Sequence, residues 1–171
     1  MERAVVPSME REKRLKRWIE TYSDAILRTC FLYLSDQAQA EDALQDTWVK
    51  AWLHMSEYER KNVQNEKAWL MRIAINICKD YRRTAWFRHM DRRKALDELP
   101  PRLLQVEPDE QSLSYFVRQL PEKYKQVILL YYFQGLTQRE TGEALGMTPA
   151  SVLRRLRAAE KLLKEEMAKK G

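Results

Sequence analysis

The chain has 171 residues, 44% of them hydrophobic, enough for one medium domain or two small ones. Its formal charge of +6 favours an anionic partner, because clustered Lys and Arg displace counterions from a polyanion; the plainer alternative is a merely basic surface. Only four glycines, against many Ala, Leu, Glu, Lys, Arg and Gln, predict an all-α fold, and no apolar run approaches the roughly 20 residues of a membrane span.

Residues 1–11 read as an N-terminal tail. The first eight show no helical period, their apolar stretch is too short for a signal peptide, and Met9 is a second candidate start. Leu15, Trp18, Ile19, Tyr22, Ile26, Cys30 and Tyr33 then recur at three- and four-residue spacing, the period of an amphipathic helix. Ser35 and Asp36 are N-cap candidates for a second helix, whose stripe is Leu44, Trp48, Trp52 and Met55. After the polar stretch SEYERKNVQN, a third helix starts near Asn65 and runs through Leu70, Ile73, Ala74, Ile77 and Tyr81. Three such helices make a small bundle over residues 12–94. Cys30 and Cys78, far apart in the chain and each in an apolar pattern, read as buried reduced thiols of a cytoplasmic protein. His54 and His89 have no ligand-like spacing, so neither a metal nor another cofactor is expected.

The stretch DELPPRLLQVEPDEQS has three prolines, no sustained period and five acids against one arginine. It reads as a flexible, extended linker over residues 95–112. A second small helical domain follows over 113–169. SLSYFVRQL is a short helix, Pro121 suits the first turn of the next, and Gly135 ends that one in a left-handed cap. Thr137 and Glu140 form a T-x-x-E capping box, Gly146 permits the positive φ that leaves a helix, and Thr148 with Pro149 opens another. Two helices across so short a turn match a helix-turn-helix, whose second helix enters the major groove. In that helix Val152, Leu156, Ala159 and Leu163 form a buried stripe. Ser151, Arg154, Arg155 and Ala158 share an outward face, where arginine forks can hold guanine edges or phosphates. The alternative is a solvated arginine face.

Two features upstream do not suit a simple repressor. Residues 36–59 carry six acids and one lysine, a formal −5, with Asp42, Gln45 and Asp46 on one polar face beside Trp48 and Trp52. Such a face fits a basic protein partner better than DNA, unless it is only solvated. Residues 79–94 carry seven bases and two acids, a formal +5, interleaved with Tyr81, Trp86 and Phe87. Bases plus aromatics suit a nucleic acid with unstacked bases, although Trp86 and Phe87 serve a core equally well.

AEDALQDTWVKAW, AWLMRIAINICKDYRR and LTQRETGEALGMTPASVLRRLRAAEKLL closely resemble, in order and spacing, three signature stretches of bacterial extracytoplasmic-function (ECF) sigma factors. The resemblance covers the chain from about Trp18 to Leu163 and implies two outer domains, sigma regions 2 and 4, with no enzymatic activity. It implies core RNA polymerase as a partner, through the clamp coiled coil of the largest subunit and the β flap. Promoter DNA and an anti-sigma factor are the other implied partners, and no membrane insertion is expected. Asp42, Gln45 and Asp46 match the clamp-binding helix. Asn76 matches a −10 position, with Lys79, Asp80, Arg82 and Arg83 beside it for the non-template strand. Tyr58 aligns with a pocket for a flipped-out base, and Ser151, Arg154, Arg155 and Arg157 fall where the −35 element is read. Leu153, Ala158, the Thr141–Gly142 pair and a longer loop near Tyr58 depart from the pattern. A free-standing helix-turn-helix regulator with a dimerising or ligand-binding bundle is the competing reading.

Overall fold

The computed structural model describes residues 2–98 and 112–170, with side chains over 8–84 and 112–169, and all its regular elements are helices. The first domain is built on α1 (Glu2–Leu34), α2 (Gln37–Leu53), the short α3 (Met55–Arg60) and α4 (Glu66–Glu98). On α1 the expected stripe forms: Trp18, Ile26, Cys30 and Tyr33 are fully buried, although Ile19 turns to solvent. The helix starts at Glu2, so residues 2–11 do not stand apart as a tail. Further along it, Arg11 and Arg14 both bond the Glu59 carboxylate of α3 at 3.0 Å.

Asp36 caps α2, its carboxylate accepting from the Gln39 amide at 3.0 Å. The stripe expected on α2 is corrected by about a quarter turn. Ala40, Ala43, Thr47 and Ala51 are the buried residues, while Leu44 and Trp48 lie half-buried at the margin and Trp52 is exposed. Alanines let α2 approach α1 and α4 closely, so its large apolar groups are pushed to the edges. Met55, expected to continue that stripe, is buried on α3 instead.

Asn65 caps α4 through a bond from the Ala68 amide. Its core face carries Leu70, Met71, Ala74, Ile75, Ile77 and Cys78. The helix continues to Glu98, beyond the expected boundary at 94; residues 99–111 of the expected linker, and the side chains of Trp86 and Phe87, lie outside those described. Cys30 and Cys78, remote in sequence, meet between α1 and α4 as buried free thiols. A hydrogen bond from the Cys78 thiol to Cys30, then burial, holds that thiol well above its ordinary pKa.

The second domain comprises α5 (Leu113–Gln119), capped by Ser112, then α6 (Glu122–Ile128) with a π-helical turn over Leu129–Phe133, α7 (Gln138–Leu145) and α8 (Pro149–Lys170). Phe116, Val117, Val127–Leu130, Leu136, Val152, Leu156 and Ala159 fill its core. Gly135 and Gly146 have φ of +70° and +68°, the left-handed values that their places after helices require. The two domains pack together, α5–α7 lying against α1 and α4. No described helix is long and apolar enough to cross a membrane.

Candidate nucleic-acid interface

The helix-turn-helix forms as its local chemistry dictates. The Glu140 amide bonds Thr137 Oγ1 and the Thr137 amide bonds Glu140 Oε1, both at 3.0 Å, so both halves of the capping box are made. Thr148 Oγ1 accepts from the Ser151 amide at the head of α8. Between the helices the Met147 amide reaches back to the Gly142 carbonyl at 2.8 Å. A Cβ on Gly142 would lie 2.4 Å from the Met147 carbonyl oxygen, so this turn is tighter than alanine permits. The neighbouring Thr141 is fully buried, and its Oγ1 has no hydrogen-bond partner among the described residues.

Val152, Leu156, Ala159 and Leu163 are buried as expected. Ser151, Arg154, Arg155 and Ala158 line one shallow concavity, with Arg154 held by Ser151 Oγ at 2.9 Å. Arg157 is exposed but lies outside that concavity. Lys123 and Tyr124 complete its opposite wall. They precede the motif by more than a dozen residues, so no local pattern ties them to it.

The first domain places its groups on two faces. Asp42, Gln45 and Asp46 are exposed on α2, together with Val49 and Leu53, a mixed acidic and apolar surface. Asp46 also accepts a bond from the Tyr81 hydroxyl, which anchors α2 to α4 and raises the Tyr81 pKa, with burial the larger cause. On another side of α4, Trp69, Arg72, Ile73 and Asn76 line a cleft of about 870 Å³ with the loop from Lys61 to Asn65. Its opposite wall is α7, through Thr137, Arg139, Glu140 and Glu143.

The remaining expected −10 residues do not share that cleft. Asp80 and Arg83 pair at 3.1 Å on an exposed stretch midway along the helix, and Lys79 is half-buried nearby. Arg82 is turned inward, donating to the Tyr33 carbonyl at 3.1 Å. Tyr58 sits in an aromatic cluster, its ring 4.9 Å from Trp18 and 5.1 Å from Trp69, with the Arg14 guanidinium 5.3 Å above it. Trp69 connects this cluster to the cleft, and Arg72 adds a cation to the cleft floor. Neither appeared among the expected residues, although both lie one helical turn before Asn76 or two.

The start of α4 is fastened by Glu66. Its carboxylate accepts two bonds from Arg17, one from the Trp18 indole and one from the Tyr22 hydroxyl, each at 2.8 Å. The Arg17 bonds chiefly, then those from Trp18 and Tyr22, lower its pKa to about 2.

Comparison with known proteins agrees with this division. Family models for Sigma-70 region 2 and Sigma-70 region 4 match residues 18–88 and 110–163. The ECF RNA polymerase sigma factor SigM of Bacillus subtilis is 30% identical over 156 residues, covering 84% of this chain and 91% of that protein. The chain belongs to the extracytoplasmic-function group of sigma-70 RNA polymerase sigma factors. The RNA polymerase sigma-E factor of Streptomyces coelicolor is 27% identical over 161 residues, covering 89% of this sigma factor and 85% of that one. CnrH, solved with the cytosolic domain of CnrY, shares the fold with a TM-score of 0.70 at 19% identity, over 94% of this chain and 91% of that chain. RpoE of Bartonella quintana, solved with the anti-sigma factor NepR, does so at 0.64 and 20%, over 91% and 98%. The free-standing regulator reading is thereby set aside.

Proposed function

We propose that this sigma factor binds core polymerase through α2, takes the −10 strand along α4 and anchors at the −35 element through α8. The observation that carries this is the separation of three surfaces, each suited to one partner. An acidic face with apolar neighbours lies on α2, an aromatic and basic cleft floor on α4, and a concave arginine face on α8. Region 2 is assigned to residues 12–94 and region 4 to 113–169, with the acidic stretch 95–112 joining them; the matches over 18–88 and 110–163 support this.

Within the −10 site, Asn76 is assigned to base contact and Arg72 to phosphate. Lys79, Asp80 and Arg83 continue along the helix toward the non-template strand. Tyr58 acts with Trp69 as the aromatic wall beside an extruded base, whose unstacking costs a few kcal/mol. At the −35 site Ser151, Arg154 and Arg155 read the groove, while Lys123 and the exposed Arg157 hold flanking phosphates. The protein performs no chemistry of its own and works beside polymerase in the bacterial cytoplasm. An anti-sigma factor covering these faces is its regulator; the NepR complex of the Bartonella relative supports that assignment.

Run-off transcription with purified core polymerase tests the proposal. Initiation from a promoter of the source genome is expected, and Asp46→Arg is expected to abolish it while region 4 still binds −35 duplex. No initiation from any such promoter would overturn it.

A further inference from the structure

The arginine face of α8 holds its two arginines in different ways. Arg154 is exposed, yet its guanidinium donates to Ser151 Oγ at 2.9 Å. Ser151 Oγ also accepts from the Thr148 hydroxyl at 2.9 Å, and Thr148 Oγ1 accepts from the Ser151 amide at 3.2 Å. The three side chains follow one another at three-residue steps, so each is a neighbour of the next on the helix surface. This chain of bonds starts at the turn, where the Met147 amide is tied to the Gly142 carbonyl, and ends on a cation. Arg155, half-buried in the same concavity, has no such tether among the described residues.

A tether of hydroxyls differs from one of carboxylates. Arg139 on α7 and Arg83 on α4 each pair with an acid, Glu143 and Asp80, which offsets their charge. No acid lines the concavity of α8, so Arg154 is oriented without being neutralised. Its charge and its remaining N–H donors stay available to DNA. Ala158, one turn further along, is too short to compete for the same space. Ser151, by contrast, is occupied. Both lone pairs of its Oγ are taken, so it cannot accept from the amino group of adenine or cytosine.

Orientation matters more for reading a base than for holding a phosphate. A guanine edge offers O6 and N7 in one plane, and an arginine fork must meet them in that plane. Phosphate oxygens carry no sequence information, and an untethered arginine reaches them from many rotamers. Fixing a rotamer-rich side chain in advance avoids the loss of freedom on docking, a gain of roughly twofold to tenfold in affinity.

We propose that Ser151, held by Thr148, is a positioning residue that sets Arg154 as the reader of one guanine in the −35 element and makes no base contact of its own. The −35 assignment of α8 made above is the premise.

The test uses holoenzyme assembled from the full-length chain and core polymerase, on a promoter active in the run-off assay. Its −35 base pairs are substituted one at a time, and each guanine is also replaced by 7-deazaguanine, which lacks the N7 acceptor. Arg154→Ala is expected to lower the preference at one guanine by about tenfold and the salt dependence of binding by about one counterion. Ser151→Ala should lower the preference at that same guanine by roughly twofold to tenfold with the salt dependence unchanged, because the cation remains and turns to phosphate. It should have no further effect in the Arg154→Ala background, and Ser151→Thr, which keeps the hydroxyl, should restore the preference. The 7-deazaguanine duplex should reproduce the loss in the wild type and add nothing in Arg154→Ala. Additive losses in the double variant, or a loss at a different base pair, would show Ser151 reading a base itself and overturn the proposal. An unchanged preference in Arg154→Ala or in Ser151→Ala overturns it too. In each of these cases initiation by the wild type leaves the function assignment standing. A wild type that initiates from no promoter removes that assignment, and this proposal with it.

Discussion

Glu66→Gln tests whether the head of α4 is held to α1 by charge. The carboxylate gathers four bonds from Arg17, Trp18 and Tyr22, and these lower its pKa from 4.5 to about 2. At about 1.4 kcal/mol for each tenfold change in proton affinity, that corresponds to about 3 kcal/mol of folding stability from the ionised form. The side chain is 25% exposed, so water screens part of this, and about 2 kcal/mol is the expected loss. The sign follows from linkage. A depressed carboxylate pKa stabilises fully above 4.5, and the contribution is lost as pH falls from there through about 2. Urea unfolding of wild type and Glu66→Gln at pH 7 should therefore differ by about 2 kcal/mol, and the gap should close as the pH is lowered from 4.5 toward 2. Comparing the two proteins at each pH cancels the titration of other carboxylates. Equal stabilities at pH 7, or a gap that persists at pH 2, would refute the reasoning.

Thr141→Val should leave −35 binding intact and stabilise the protein by about 1 kcal/mol in urea titrations, because it removes a buried hydroxyl without a partner and keeps the shape. Gly142→Ala should destabilise by about 2 kcal/mol and weaken binding to −35 duplex, since its Cβ has no room beside the Met147 carbonyl. Arg155→Ala and Lys123→Ala should each lower the salt dependence of −35 binding by about one counterion; only Arg155→Ala is expected to relax sequence preference. Lys125 is brought down to about 8 by burial first and then by Arg82 and Arg118, against the pull of Glu122.

Much of this protein was determined locally. The capping box at Thr137–Glu140, the caps at Asp36 and Asn65, the left-handed glycines at 135 and 146 and the buried stripe of α8 all follow from neighbouring residues. Their energies depend on atoms within a turn or two, so spacing in the chain is enough to find them. Where the chain meets itself at long range, spacing was silent. The alanine face of α2 was hidden by larger residues nearby, because a hydrophobic pattern records apolar size and close approach selects the reverse. Lys123 and Tyr124 joined the arginine face only when α6 packed beside α8. Cys30 met Cys78, and Arg82 turned from the DNA face to the Tyr33 carbonyl, for the same reason. Gln126 and Gln134 gave no signal at all, since a glutamine looks the same in a sequence whether its amide faces water or a hydroxyl across a domain boundary. The sequence by itself settled the helix caps, the helix-turn-helix and the family they serve. Only the tertiary structure decided which polar groups bind each other, because that depends on a three-dimensional meeting of partners up to 109 residues apart.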